Sequence, residues 1–212
     1  MKLYGYFRSS ASYRVRIALS LKDIDYALQP VHLRRNEQRA PLFLESNPQG
    51  LVPALEDGGA VLTQSLAIIE YLEERIPEPP LLPPAPVDRA WVRAMAQIVA
   101  CDIHPINNLR ILQYLENDLG LDDDARATWA ARWIDEGFSA MEAMLKDDSR
   151  TGTHCCGNQP TLADICLVPQ VFNSRRFGMD LARYPTLARI YENCMRLPAF
   201  ADQAPERQPD AE

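Results

Sequence analysis

The stretch FRSSASYRVRIAL, from Phe7 to Leu19, sets two serines, Ser9 and Ser10, where a short strand gives way to a helix. The first turn of a helix carries unpaired amide donors and a partial positive charge. A hydroxyl placed there can donate to an anion. A thiolate is such an anion, and nearby donors lower the pKa of its thiol. Plain helix capping is the other use of the same serines. Gln64-Ser65 repeats the arrangement at the start of a later helix, where it suits a carboxylate or, again, a cap. Val52-Pro53 follows a turn and precedes a strand, and a cis bond there would turn backbone amide and carbonyl groups toward a ligand. His154-Cys155-Cys156 invites a metal reading. Adjacent cysteines are poor zinc spacing and no second ligand pair follows, so no metal site is expected.

These residues need elements to hold them. Leu3, Tyr4 and Tyr6 suggest a first strand. Residues 12–22 read as a helix, with Val15, Ala18 and Leu19 on its apolar stripe and Arg14, Arg16 and Lys22 outside it. A second strand over 26–31 would complete a parallel βαβ unit. Asn47-Pro48-Gln49-Gly50 is a turn signal. Strands at 53–56 and 60–63 flank Asp57-Gly58-Gly59 and predict a hairpin. Residues 66–76 follow as a helix striped by Ile68, Ile69, Leu72 and Ile76. The order is β-α-β-(α)-β-β-α.

Residues 77–86 contain six prolines, which excludes helix and central strand and marks a linker. Beyond it the periodicity is helical over 88–118, 125–146, 162–177 and 186–197. Thr161 and Asp164 predict a capping box, and Pro169 predicts a kink. Trp91, Trp129 and Trp133 read as packing residues. The polar tail after Phe200 is expected to be loose. The expected domains are therefore 1–82, an α/β unit, and 88–212, all helical.

Composition narrows the function. The chain has 212 residues, 47% of them hydrophobic, enough for one or two cored domains. A net charge of −7 argues against nonspecific nucleic-acid binding. An anionic substrate would then need a local cluster of arginines. Five cysteines without a CxxC pair fit a reducing compartment. With no secretory h-region and no membrane-length apolar run, a soluble cytoplasmic protein is expected.

The run SSASYRVRIAL resembles the SSCxxRVRIAL signature of zeta-class glutathione transferases. The similarity extends through NPQGLVPALEDGG, TQSLAIIEYLEER, the proline-rich linker ending in LLP, HPINNLRIL, TLADICLVPQV, RRFGMDL, YPTL and a closing QPD. That family comprises maleylacetoacetate isomerases and the similar maleylpyruvate isomerases. The resemblance implies a thioredoxin-like amino-terminal domain, an all-helical carboxy-terminal domain, a homodimer, and glutathione as cofactor. It also implies cis–trans isomerisation of a dicarboxylate in the catabolism of tyrosine, phenylalanine and other aromatic compounds.

By position, Ser9 matches the catalytic serine facing the glutathione sulfur, and Ser10 its neighbour. Ala11 stands where many members have cysteine. Val52 matches the residue whose backbone pairs with the cysteinyl part, Gln64 and Ser65 the pair that holds the γ-glutamyl end, and Gln38 a position reaching the glycyl end. His104, Asn108 and Arg110 match cleft positions. Arg8, Arg110 and Arg176 resemble arginines that meet substrate carboxylates, a role guanidinium groups fill as bidentate forks. Arg14 and Arg16 read as a structural helix face. Two rivals stay open: a transferase that conjugates or dehalogenates electrophiles such as haloacids, and a non-catalytic glutathione-binding protein. The second has no need of Ser9 together with three arginines.

Overall fold

A computed structural model describes residues 1–212. The chain forms two compact units, residues 1–81 with 196–212, and residues 82–195. The division falls within the proline-rich stretch, between Leu81 and Leu82, and the carboxy-terminal segment packs with the first unit and not with the helical one.

The first unit runs β1 (Lys2–Gly5), α1 (Ser10–Leu21), β2 (Ala27–Pro30), α2 (Pro41–Ser46), β3 (Ala54–Asp57), β4 (Ala60–Thr63) and α3 (Ser65–Arg75). Its sheet has the order β2-β1-β3-β4, with β1 parallel to β2 and both other pairings antiparallel. This is the anticipated thioredoxin-like order. The parallel pair needs a crossover, which α1 supplies. Asp57 pairs with Ala60, so Gly58 and Gly59 form the hairpin turn at φ 55° and 85°. Those values are left-handed and glycine adopts them at no steric cost. Leu3, Val15, Ile17, Leu19, Leu55, Ile68, Ile69 and Leu72 are buried completely or nearly so and form the core.

Lys22, read as outside the apolar stripe, is nevertheless buried, because it has partners there. Its Nζ pairs with Glu73 at 2.8 Å and donates to the carbonyls of Ile76 and Pro79. The Glu73 carboxylate also accepts from the Leu81 N–H. The start of the proline-rich stretch is thereby tied down, although it has no regular structure.

The second unit contains α4 (Pro86–Gln97), α5 (Leu109–Asn117), α6 (Asp123–Lys146), α7 (Leu162–Arg175) and α8 (Pro185–Met195). The single helix expected over 88–118 is broken. A π-helical turn over Ile98–Ile103 and a 3-10 turn over Pro105–Asn107 separate α4 from α5. Pro105 has no N–H to continue the ladder. The other three helices match their expected spans within three residues at either end. α7 continues through Pro169 and is buried on nearly every side, as a central helix must be. Its capping box forms: Asp164 accepts from the Thr161 N–H, and also from the Cys155 N–H, both at 2.8 Å. The His154-Cys155-Cys156 segment is thus a structural tie to the start of α7. Trp129 and Trp133 meet edge to face, and Trp129 Nε1 donates to the Ile106 carbonyl.

The tail is the clearest correction. It contains α9 (Pro198–Ala201) and is not loose. Tyr13 Oη donates to the Phe200 carbonyl at 2.8 Å. Arg16 donates to the Gln203 carbonyl, and Glu212 accepts from Arg35 and pairs with the His32 ring. α9 lies against α1, so the polar side of α1 faces protein. Arg16, held by that tail, and Arg14, whose guanidinium reaches Ser65 at the start of α3, are each only 1% exposed.

Candidate functional site

In the first unit the site grows from the β1–α1 connection. Ser9 is the N-cap of α1, with extended backbone, and its Oγ accepts from the Ser12 N–H at 3.2 Å. A hydroxyl carries one donor besides its acceptor lone pairs. Capping therefore uses the oxygen and leaves the O–H to point at a ligand, so the two readings of Ser9 are compatible. Ser10 is the first residue of α1 and is buried. Arg8, immediately before, is exposed.

A second cluster surrounds the start of α3. Gln64 precedes the helix at φ 69° and ψ 116°, a conformation that L residues with side chains rarely adopt. Such strain costs about 1–3 kcal/mol and collects at ligand sites. Its Nε2 donates to Gln49 Oε1 at 2.8 Å. Ser65 is buried at the first helical position and its Oγ accepts from Arg14 Nη1 at 3.3 Å. The guanidinium occupies one lone pair of the hydroxyl and leaves the Ser65 O–H able to donate.

The loop between α2 and β3 joins these parts. Val52-Pro53 is cis. Ala54 pairs with Thr63, so Val52 and Pro53 run on beside Gln64 and Ser65. Asn47 organises the turn: its Oδ1 accepts from the Gln49 N–H, and its Nδ2 donates to the Leu51 carbonyl. Gly50 has φ +60°, and a Cβ there would lie 2.9 Å from the Gln38 carbonyl oxygen, so the loop is pressed against Gln38. Gln38 is buried, with its Oε1 lacking any partner in the chain. A buried acceptor of this kind is usually satisfied by something bound.

Gln38, Val52, Gln64 and Ser65 are therefore brought together around one loop, and Arg14 links the start of α3 to the helix that Ser9 caps. Gln49 and Arg14 were not among the expected site residues. Gln49 lay in a turn motif read only as a turn. Arg14 was read as part of a structural helix face, which misses its burial and its hold on Ser65.

In the second unit the irregular segment carries most of the candidates. His104 closes the π-helical turn, its N–H bonded to the Val99 carbonyl. Asn108 caps α5, its Oδ1 accepting from the Arg110 N–H at 3.1 Å, and Arg110 is exposed one residue into that helix. Asn107, which sequence reasoning passed over, is buried with both amide atoms unpartnered in the chain. A π-helical turn often marks a functional segment. Arg176 sits elsewhere, at the end of α7, exposed, with its guanidinium 5.5 Å from the Phe177 ring centre.

Comparison with known proteins accounts for this arrangement. Residues 1–74 match the glutathione S-transferase N-terminal domain and residues 123–193 its C-terminal domain. A probable maleylacetoacetate isomerase of Vibrio cholerae is 52% identical over 99% of this chain and 97% of its own length. A maleylpyruvate isomerase of a Ralstonia species is 50% identical over the whole of both chains. Among solved structures, a holo maleylpyruvate isomerase described as a bacterial zeta-class glutathione S-transferase superposes with a TM-score of 0.98 at 50% identity, covering all of both chains. A maleylacetoacetate isomerase from Methylobacterium extorquens AM1 with bound malonate and glutathione gives 0.97 at 43% identity, again over all of both chains. The chain belongs to the glutathione S-transferase family, in its zeta class.

Proposed function

We propose that this chain is a glutathione-dependent cis–trans isomerase acting on a cis-enone dicarboxylate, maleylacetoacetate or maleylpyruvate, to give its fumaryl isomer. The observation that carries the reading is Ser9, whose oxygen caps α1 while its O–H remains to donate. Relatives of the same length bear both isomerase names.

The residues present fit glutathione. Gln38 offers a buried unpartnered acceptor, and Gln64 and Ser65 present donors at a helix start. When bound, glutathione supplies a thiolate that adds reversibly to the cis double bond, so that the bond can rotate before the thiol is released unchanged. Ser9, with Ser10 beside it, would stabilise the thiolate charge before attack and after release. Val52 would pair through its backbone with the cysteinyl part, Gln64 and Ser65 would hold the γ-glutamyl end, and Gln38 would reach the glycyl end. His104 and Asn108 are assigned to glutathione as well. Arg8, Arg110 and Arg176 would bind the substrate carboxylates and the negative charge that develops on the enolate oxygen, the general electrostatic route to rate enhancement. Bound malonate and citrate in related structures support an anion site.

The same reading places the protein as a homodimer in the cytoplasm, in the breakdown of tyrosine, phenylalanine or related aromatic compounds. No helix is long and apolar enough to cross a membrane. The test is to measure fumaryl product against glutathione consumed, with both maleyl substrates offered. Catalytic glutathione with many turnovers is expected. Loss of one glutathione per product would make the chain a conjugating transferase instead.

A further inference from the structure

The carboxy-terminal tail reaches the catalytic turn directly. Ser9 donates its N–H to the Tyr6 carbonyl at 3.0 Å, closing a tight turn over Tyr6–Ser9. Inside that turn the Phe7 N–H donates to Asp210 Oδ2 at 3.0 Å, a contact spanning 203 positions of sequence. The Phe7 carbonyl accepts from Arg16 Nη2 at 3.1 Å, and the same nitrogen donates to the Gln203 carbonyl at 3.0 Å. Both backbone polar groups of Phe7 are thus held by the tail, the N–H directly and the carbonyl through Arg16. Asp210 Oδ1 is buried and has no partner in the chain. A buried carboxylate oxygen left unsatisfied is costly, so stability alone does not account for an aspartate at this position.

We infer that Asp210 is a positioning residue for the Ser9 hydroxyl and the Arg8 guanidinium, acting through the backbone of Phe7. This rests on the assignment of Ser9 as thiolate donor. Arg8 is the next residue after Phe7 and Ser9 the one after that, so slack at Phe7 passes to both. Hydrogen bonds to a carboxylate are stronger than neutral ones, and misplacement of a reacting group by about 1 Å can cost 100-fold in rate. The charged and titratable groups around Asp210 are Arg16, Tyr6 and Tyr26, with Arg8, Arg34 and Glu212 also acting on Tyr6.

The charge of Asp210 and its hydrogen bond push a nearby thiolate in opposite directions, and two variants separate them. Asp210→Asn keeps an oxygen acceptor for the Phe7 N–H and removes the negative charge. Asp210→Ala removes both. In the full-length chain without glutathione, amide exchange at Phe7 should be slow in wild type and in Asp210→Asn, and faster by about tenfold or more in Asp210→Ala. With glutathione bound, the thiolate pKa of Asp210→Ala should exceed that of Asp210→Asn by about 0.5 to 1. Its kcat/KM should fall about three- to tenfold, less than the roughly 100-fold for outright loss of an oxyanion donor. Equal thiolate pKa values in the two variants would overturn the inference. So would a wild-type Phe7 amide that exchanges as freely as an unstructured one, whether or not the alanine variant folds. Ser9→Ala run in parallel separates the failures: if it leaves the thiolate pKa unchanged, the donor assignment itself is wrong.

Discussion

Replacing Ser9 removes a helix cap that the structure shows and, on the proposed function, a donor to the thiolate. Its oxygen accepts from the Ser12 N–H and caps α1, and its proton is left for a ligand. Alanine at an N-cap costs about 1 kcal/mol of stability, whereas glycine costs only a few tenths. Loss of a donor to a developing or resting anion costs about 2.7–4 kcal/mol in favourable sites. One pKa unit corresponds to about 1.36 kcal/mol. Ser9→Gly should therefore leave the thermal midpoint almost unchanged and raise the pKa of bound glutathione by about 2–3. The corresponding loss in kcat/KM is about 100- to 1,000-fold at neutral pH. Ser9→Ala should show the same catalytic loss plus the capping penalty. Ser9→Thr, which keeps both functions, should retain most activity. The assay is thiolate absorbance of the glutathione complex titrated against pH, alongside thermal unfolding of each variant. If Ser9→Gly binds glutathione with the wild-type thiolate pKa, Ser9 is a helix cap and nothing more, and the proposed chemistry lacks its donor.

Arg8→Met and Arg176→Met should each raise KM for the maleyl substrate and lower kcat/KM by about tenfold or more, the value of one charged hydrogen bond at about 1.5–3 kcal/mol. Glutathione affinity, measured by calorimetry, should stay near wild type, and two variants with full kcat/KM would remove the carboxylate-binding role. Gln64→Gly should relieve backbone strain, since φ 69° suits glycine, while losing the amide that reaches Gln49. The expected result is unchanged or higher stability with weaker glutathione binding, and tighter binding would contradict it. Lys22→Met strands the buried Glu73 carboxylate and should cost about 3–5 kcal/mol, read as a lower denaturant midpoint; a loss under about 1 kcal/mol would mean that water replaces the ammonium group.

Much of this protein is legible in local sequence because local physics determines it. The βαβ start, the glycine hairpin at Gly58-Gly59 and the Thr161–Asp164 capping box each depend on residues within a few positions of one another. The thiolate-donor reading of Ser9 needed only a serine at a strand-to-helix junction, and the match to SSCxxRVRIAL narrowed it to one family. What periodicity missed is equally physical. A run of helical spacing over 88–118 does not reveal that the ladder shifts into a π-helical turn before Pro105, and the local geometry of His104, Asn107 and Asn108 depends on that shift. Arginines at positions 14 and 16 lie outside the apolar stripe, yet Arg16 is buried by the tail and Arg14 becomes a partner of Ser65 through a contact spanning 51 positions. The tail itself is polar and short of periodic apolar residues, so composition marks it as loose. It is ordered by hydrogen bonds to Phe7, Tyr13, Arg16, His32 and Arg35. Partners that lie 177 to 203 positions away leave no local signature. The sequence by itself determined most of the elements, the family and the identity of the chemical groups. Tertiary structure alone decided which groups share a site and what holds them there, because burial and hydrogen bonding between distant segments exist only once the chain has closed on itself.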